Sequence, residues 1–168
     1  MHPYVRLAID AIREHVVSGS IKEMGDPIPD DFNKTAGAFV SIKKDGRLRG
    51  CIGTIAPTEK NLAAEIIRNA IASSSHDRRF SPVEEEELES LAVSVDVLSE
   101  AEDIDSPDEL DPKIYGVIVS SGQNRGLLLP DLDGIDTPEQ QIDICRKKGG
   151  IEPEEDITLQ RFKVERFR

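Results

Sequence analysis

Gly37-Ala38-Phe39-Val40-Ser41-Ile42-Lys43-Lys44-Asp45-Gly46-Arg47-Leu48-Arg49-Gly50-Cys51-Ile52-Gly53-Thr54-Ile55 is the stretch that decides how this chain folds. Two strand-like runs, Gly37 to Lys43 and Leu48 to Ile55, flank Lys44-Asp45-Gly46-Arg47, and Asp-Gly between such runs is a strong hairpin signal. Side chains alternate along a strand, so Arg49, Cys51, Gly53 and Ile55 fall on one face and Leu48, Gly50, Ile52 and Thr54 on the other. The second run is also chemically unusual. Glycine weakens a strand interior and marks a bulge or a close approach of backbone or ligand, yet residues 46–53 hold Gly46, Gly50 and Gly53 beside Arg47, Arg49 and Cys51. The run reads as a site as well as a strand.

Towards the N-terminus, Val5, Ala8, Ile9, Ile12 and Val16 share one face of a helix over Pro3 to Val17. Residues 18–36, with Gly19, Gly25, Pro27 and Pro29, read as a long loop, and loops of that length are either functional or poorly ordered. Towards the C-terminus, Thr58 is the expected cap of a core helix running to about Ser73. A polar stretch follows, Ser73 to Pro82, in which Ser81 and Glu84 have the spacing of a capping box that opens a short helix to about Ser90. Leu91 to Leu98 alternates as a half-buried strand with Ala92, Ser94 and Asp96 outward. An acidic connection, Ser99 to Pro112, leads to a second hairpin, Ile114–Ser120 with Arg125–Leu129. Thr137-Pro138-Glu139-Gln140 caps a last helix that Gly149-Gly150 ends, and Ile157 to Phe167 closes the chain as a strand with a bulge expected near Gln160 or Arg161. Hairpins interleaved with helices make the class α+β, mainly antiparallel sheet with flanking helices, in one domain over residues 1–168.

Composition narrows the function classes. A net charge of −12 repels nucleic acid and anionic lipid, so neither is an expected partner, although a local basic pocket is compatible with it. No apolar run is long enough to cross a bilayer, and Arg6, Asp10, Arg13 and Glu14 interrupt the N-terminal apolar positions, so the expected location is cytoplasmic. Cys51 and Cys145 are too few for a disulfide framework, and His2, His15 and His76 show no metal-ligand spacing, so no metal and no cofactor are expected.

Cys51 supports two readings. A guanidinium from Arg49 or Arg79 would raise its thiolate fraction and His76 could serve as base, or the side chain is a small buried hydrophobe. Arg49 with Gly50 and Gly53 could hold a phosphate or carboxylate, or Arg49 could form an internal salt bridge, with Asp77 as its partner. Asp77, Arg79 and Phe80, fixed by Pro82, would form the opposite wall. Cys145 falls on the inner stripe of its helix and reads as core.

Five segments then resemble the AMME chromosomal region (AMMECR) domain family, whose prokaryotic branch is the A component of the AmmeMemoRadiSam system. They are Gly37-Ala38-Phe39-Val40, Leu48-Arg49-Gly50-Cys51-Ile52-Gly53, Asp77-Arg78-Arg79-Phe80-Ser81-Pro82, Gly126-Leu127-Leu128-Leu129-Pro130 and Cys145-Arg146-Lys147-Lys148-Gly149-Gly150. The loop's usual Asp-Pro-Arg-Phe-Pro-Pro is altered here at Arg78 and Ser81. The resemblance implies two unequal α+β lobes with a groove near the hexapeptide, and association with a Memo-like protein and a radical SAM protein. It leaves the activity open between an enzyme, a nucleic-acid-related factor and a regulatory partner protein, and with nucleic acid disfavoured by the net charge two readings go furthest. One is an enzyme or substrate-handling component using Cys51 and His76, with Arg49, Gly50, Gly53, Asp77, Arg79 and Phe80 holding the ligand. The other is a non-catalytic adaptor for a partner protein or a small anionic ligand.

Overall fold

The computed structural model describes all 168 residues, which divide into two compact units, Met1–Leu98 with Glu165–Arg168, and Ser99–Val164. The fold is α+β with antiparallel sheet and flanking helices, and no helix is long and apolar enough to cross a membrane.

In the first unit, helix α1 (Pro3–Ser18) and helix α3 (Leu62–Ser75) cover one face of a sheet in which β1 (Ala38–Lys44) lies between β2 (Arg47–Gly53) and β3 (Leu91–Leu98). The core seals Ile12, Val40, Ile42, Leu62, Ile66 and Val95 from solvent. The long connection after α1 contains one helical turn, α2 (Asp30–Asn33), whose buried Phe32 meets the ring of Tyr4 edge-on.

Several local expectations yield to side-chain bonding. Helix α3 starts at Leu62 rather than at Thr58, because Asn61 supplies the cap through its Oδ1, 2.9 Å from the Ala64 amide, while the amide and hydroxyl of Thr58 both donate to Glu65. After Pro82 there is only a 3-10 helix, Glu85–Ser90, capped reciprocally by Glu84 and Glu87. The carbonyls of Ser81 and Pro82, which an earlier helix would have used, accept instead from Arg49 at 2.8 and 3.2 Å. Asp96 is buried rather than outward, held by a two-pronged pair with Arg166 at 2.7 and 2.8 Å.

In the second unit, β5 (Tyr115–Ser121) and β6 (Asn124–Leu128) form the second hairpin, and β4 (Glu102–Ile104) is a short strand within the acidic connection. Helix α4 (Pro138–Gly149) has the Thr137–Gln140 capping box and Gly150 at its end with φ 66°. Strand β7 (Thr158–Phe167) pairs with β4 and β5. Its register against β5 is unbroken from Thr158 to Lys163, so the bulge expected near Gln160 is absent. Leu159 and Phe162 instead fill opposite faces of a regular strand, the Phe162 ring lying over Gly116, where a Cβ would come within 2.2 Å of it.

Candidate functional site

The one register break in the first hairpin falls at an arginine. Ile42 pairs with Gly50 and Lys43 with Leu48, which leaves Arg49 over as a bulge. A bulge re-aims the extra residue, and the Arg49 guanidinium grips Glu87 at 2.8 and 3.0 Å as well as the two loop carbonyls. Its ion partner is therefore Glu87 rather than Asp77. Arg49 hydrogen bonding, opposed by burial and aided by the Glu84 amide and Lys44, holds the Glu87 carboxyl down at about 2.

Gly50 lets α3 approach. A Cβ at this position would lie 2.1 Å from the carbonyl oxygen of Ser73, closer than any real contact. The approach is used by a polar stripe at four-residue spacing, Glu65, Asn69, Ser73 and Asp77, which runs along the sheet-facing side of α3 and just past its end. Each member bonds the hairpin. Glu65 accepts from the Thr54 hydroxyl at 2.6 Å, Asn69 donates to the Ala38 carbonyl at 2.8 Å, and the Ser73 hydroxyl accepts from the Ile52 amide and donates to the Val40 carbonyl. Burial pushes the Glu65 carboxyl up, but hydrogen bonds from Thr54, Glu59 and Thr58 together hold it below its ordinary value.

Asp77 ends the stripe. Its carboxylate accepts the Cys51 amide at 2.9 Å and the Arg79 guanidinium at 2.7 and 3.0 Å, and Arg79 also donates to the Cys51 carbonyl at 3.1 Å. The Arg79 hydrogen bonds, against the opposing effect of burial, hold the Asp77 carboxyl far below the usual carboxylate range. The Arg79 side chain is nevertheless 57% exposed, and its guanidinium lies 5.5 Å from the centre of the Phe80 ring.

Cys51 is half-buried on the sheet face opposite α3, its sulfur 3.2 Å from the Ser41 hydroxyl across the hairpin. Gly53 shares that face, and the Phe39 ring occupies the space a side chain there would need. His76 ends α3 and is exposed. Its ring lies 6.5 Å from that of His15, in the wall of a groove on another face of the helix, one that includes Ile67 and Ile71 but not Cys51. The fold thus gathers Arg49, Gly50, Cys51, Gly53, Asp77 and Arg79 and leaves His76 apart. No group of three or more His, Cys, Asp or Glu side chains is placed to hold a metal ion.

Sequence reasoning missed Glu87, Glu65, Asn69, Ser73 and Ser41. The four-residue spacing of polar residues among the apolar positions of α3 was the available signal for three of them. Glu87, one of four consecutive glutamates, had none.

Residues 5–167 match the AMMECR1 family model. A protein of Thermotoga maritima is 50% identical over 170 residues, covering 99% of this chain and 98% of its own. A Clostridium acetobutylicum protein is 46% identical over 99% of this chain, which spans only 36% of that relative's length. The crystal structure of an uncharacterized protein from Pyrococcus horikoshii shares the fold with a TM-score of 0.88 at 33% identity, over 97% of this chain and 88% of its own.

Proposed function

Because the chain belongs to the AMMECR1 family, its hexapeptide needs an explanation in terms of what the side chains touch, and we propose that it builds a binding or adaptor surface. The observation that supports this reading is that the charged side chains of the signature are already engaged. Arg49 is committed to Glu87 and two carbonyls, and Asp77 to Arg79 and the Cys51 amide. What they leave outward is Arg79 stacked on Phe80, beside Glu84 and Glu86, in a shallow hollow that also includes Lys44. Arginine and aromatic side chains held rigid at a surface are the residue types that anchor protein interfaces.

The partners this reading names are the Memo-like protein and the radical SAM protein, and the remaining donors of Arg79 suit a small anionic ligand or a carboxylate of such a partner. Both cysteines are free, which supports a cytoplasmic setting. An enzymatic reading keeps one observation in its favour, the half-buried Cys51 thiol facing the Ser41 hydroxyl.

Titration of each purified partner with this chain tests the proposal. A complex at micromolar concentration, weakened about tenfold or more by Phe80→Ala and unaffected by Cys51→Ser, is the expected result. No complex with either partner, or cellular function lost in Cys51→Ser and kept in Phe80→Ala, overturns it.

A further inference from the structure

The second unit has a free sheet edge that the adaptor reading does not use, and we infer that it takes up an extended acidic segment of a partner protein as an added strand beside β6. Strand β6 pairs with β5 alone, at the end of the sheet. Its turn is the two residues Gly122 and Gln123, with Gly122 at φ 56°, so Ser121 and Asn124 close the hairpin as a hydrogen-bonded pair. Alternation along the antiparallel ladder then ties Gly126 and Leu128 to β5 and turns the main-chain groups of Arg125 and Leu127 outward. The Lys148 ammonium, 2.8 Å from the outward Leu127 carbonyl, marks that direction. The amides of Arg125 and Leu127 and the carbonyl of Arg125 have no partner in the protein, and they present the donors and acceptor that an added strand pairs with.

The side chains along this edge select the occupant. Arg125 is exposed, and Lys147 and Lys148 stand on the last turn of α4, where Gly149 lies so close to β6 that a Cβ there would come within 2.7 Å of the Arg125 main chain. None of the three is ion-paired, not even Lys147 with Asp143 one turn before it, although the chain's net charge is −12. A second copy of this edge would set the same cations against each other, which disfavours self-pairing through β6. An acidic strand meets attraction instead, and its main chain supplies the carbonyls and amide that Arg125 and Leu127 lack.

Amide hydrogen exchange of the full chain, read residue by residue by NMR, tests the inference with the end-capped peptide Glu-Val-Glu-Val-Glu-Val-Glu, in which glutamate supplies the charge and valine the strand propensity. In the free protein the Arg125 and Leu127 amides should exchange at least about tenfold faster than those of Gly126 and Leu128. Saturating peptide should slow both about tenfold or more, with a Kd below about 1 mM. Lysine in place of every glutamate, or proline at the central position, should abolish the effect. Arg125→Glu should weaken binding about tenfold with an unchanged melting temperature. The inference fails if the Arg125 and Leu127 amides are as protected as Gly126 in the free chain, if the acidic peptide leaves their exchange unchanged, or if the lysine peptide binds as well. It also fails if concentration-dependent dimerisation protects the edge in place of the peptide. Arg79 and Phe80 belong to the other unit, so failure here leaves the adaptor reading of that surface standing, and the converse holds.

Discussion

Asp77 and Cys51 are joined at 2.9 Å from carboxylate to main-chain amide, and the arginine bound to that carboxylate returns a hydrogen bond to the Cys51 carbonyl at 3.1 Å. Strand β2 is an edge strand, so those two main-chain groups would otherwise face outward unpaired. The side chains of one loop occupy the place of a neighbouring strand. This accounts for an Asp and an Arg two residues apart without assigning either to chemistry.

Replacing Asp77 with alanine leaves the Cys51 amide without its partner and Arg79 without its carboxylate. Asp77 is buried, but Arg79 stays half in solvent, so the expected loss is about 3 kcal/mol, the lower end for broken buried pairs. Denaturant unfolding measures it. A loss below about 0.5 kcal/mol, the level of an ordinary surface change, would mean the clasp contributes nothing.

The Arg49–Glu87 pair makes a pH-dependent contribution. Arg49 lowers the folded value of Glu87 from the usual carboxylate range to about 2. The contribution is therefore complete above about pH 4.5 and is lost as pH falls towards 2. Glu87→Gln should be less stable than the parent by about 2 to 3 kcal/mol at pH 7, and the gap should close on acidification. Urea unfolding of both proteins from pH 7 to 2 checks this; a gap that stays constant over that range speaks against the ion pair.

Gly50 and Gly25 make a matched comparison. An added methyl at Gly50 meets the main-chain oxygen of Ser73 at 2.1 Å, and a helix backbone cannot swing aside, whereas nothing lies within 4 Å at Gly25. Gly50→Ala should cost about 3 kcal/mol or more, with Gly25→Ala within about 0.5 kcal/mol of the parent. Equal stabilities would show that α3 shifts freely on the hairpin.

The parts of the fold that were legible are those fixed by residues near in sequence. Asp45-Gly46 announced the hairpin, and Thr137 with Gln140 announced α4. The parts that were not legible depend on partners far along the chain. The pairing of Arg49 with Glu87 spans 38 residues, and nothing in the sequence distinguishes Glu87 from its acidic neighbours. That single pairing also consumed the carbonyls of Ser81 and Pro82 and so displaced the helix start that their own local signals favoured. Asp96 looked outward by alternation because its cover, Arg166, lies 70 residues later. At the site, the grouping of Arg49, Cys51, Asp77 and Arg79 was readable as a juxtaposition. Its bonding was not, because a main-chain acceptor leaves no mark on the sequence.

The two cysteines should separate cleanly by accessibility. Cys145 is fully buried on α4, its sulfur 3.8 Å from the Val117 carbonyl, and burial pushes its thiol up to about 11. Both effects remove the thiolate that an alkylating or disulfide reagent needs at neutral pH. Cys51 is only half-buried and shares its hydrogen bond with the Ser41 hydroxyl. A colorimetric thiol assay should therefore find one reactive group in the folded protein and two in denaturant. Cys51→Ser should remove the fast group, and Ser41→Ala should leave it in place. A Cys51 thiol that reacts only after unfolding would bury the one atom on which an enzymatic reading depends, and one that reacts much faster than a free model thiol would restore that reading against the adaptor surface at Arg79 and Phe80.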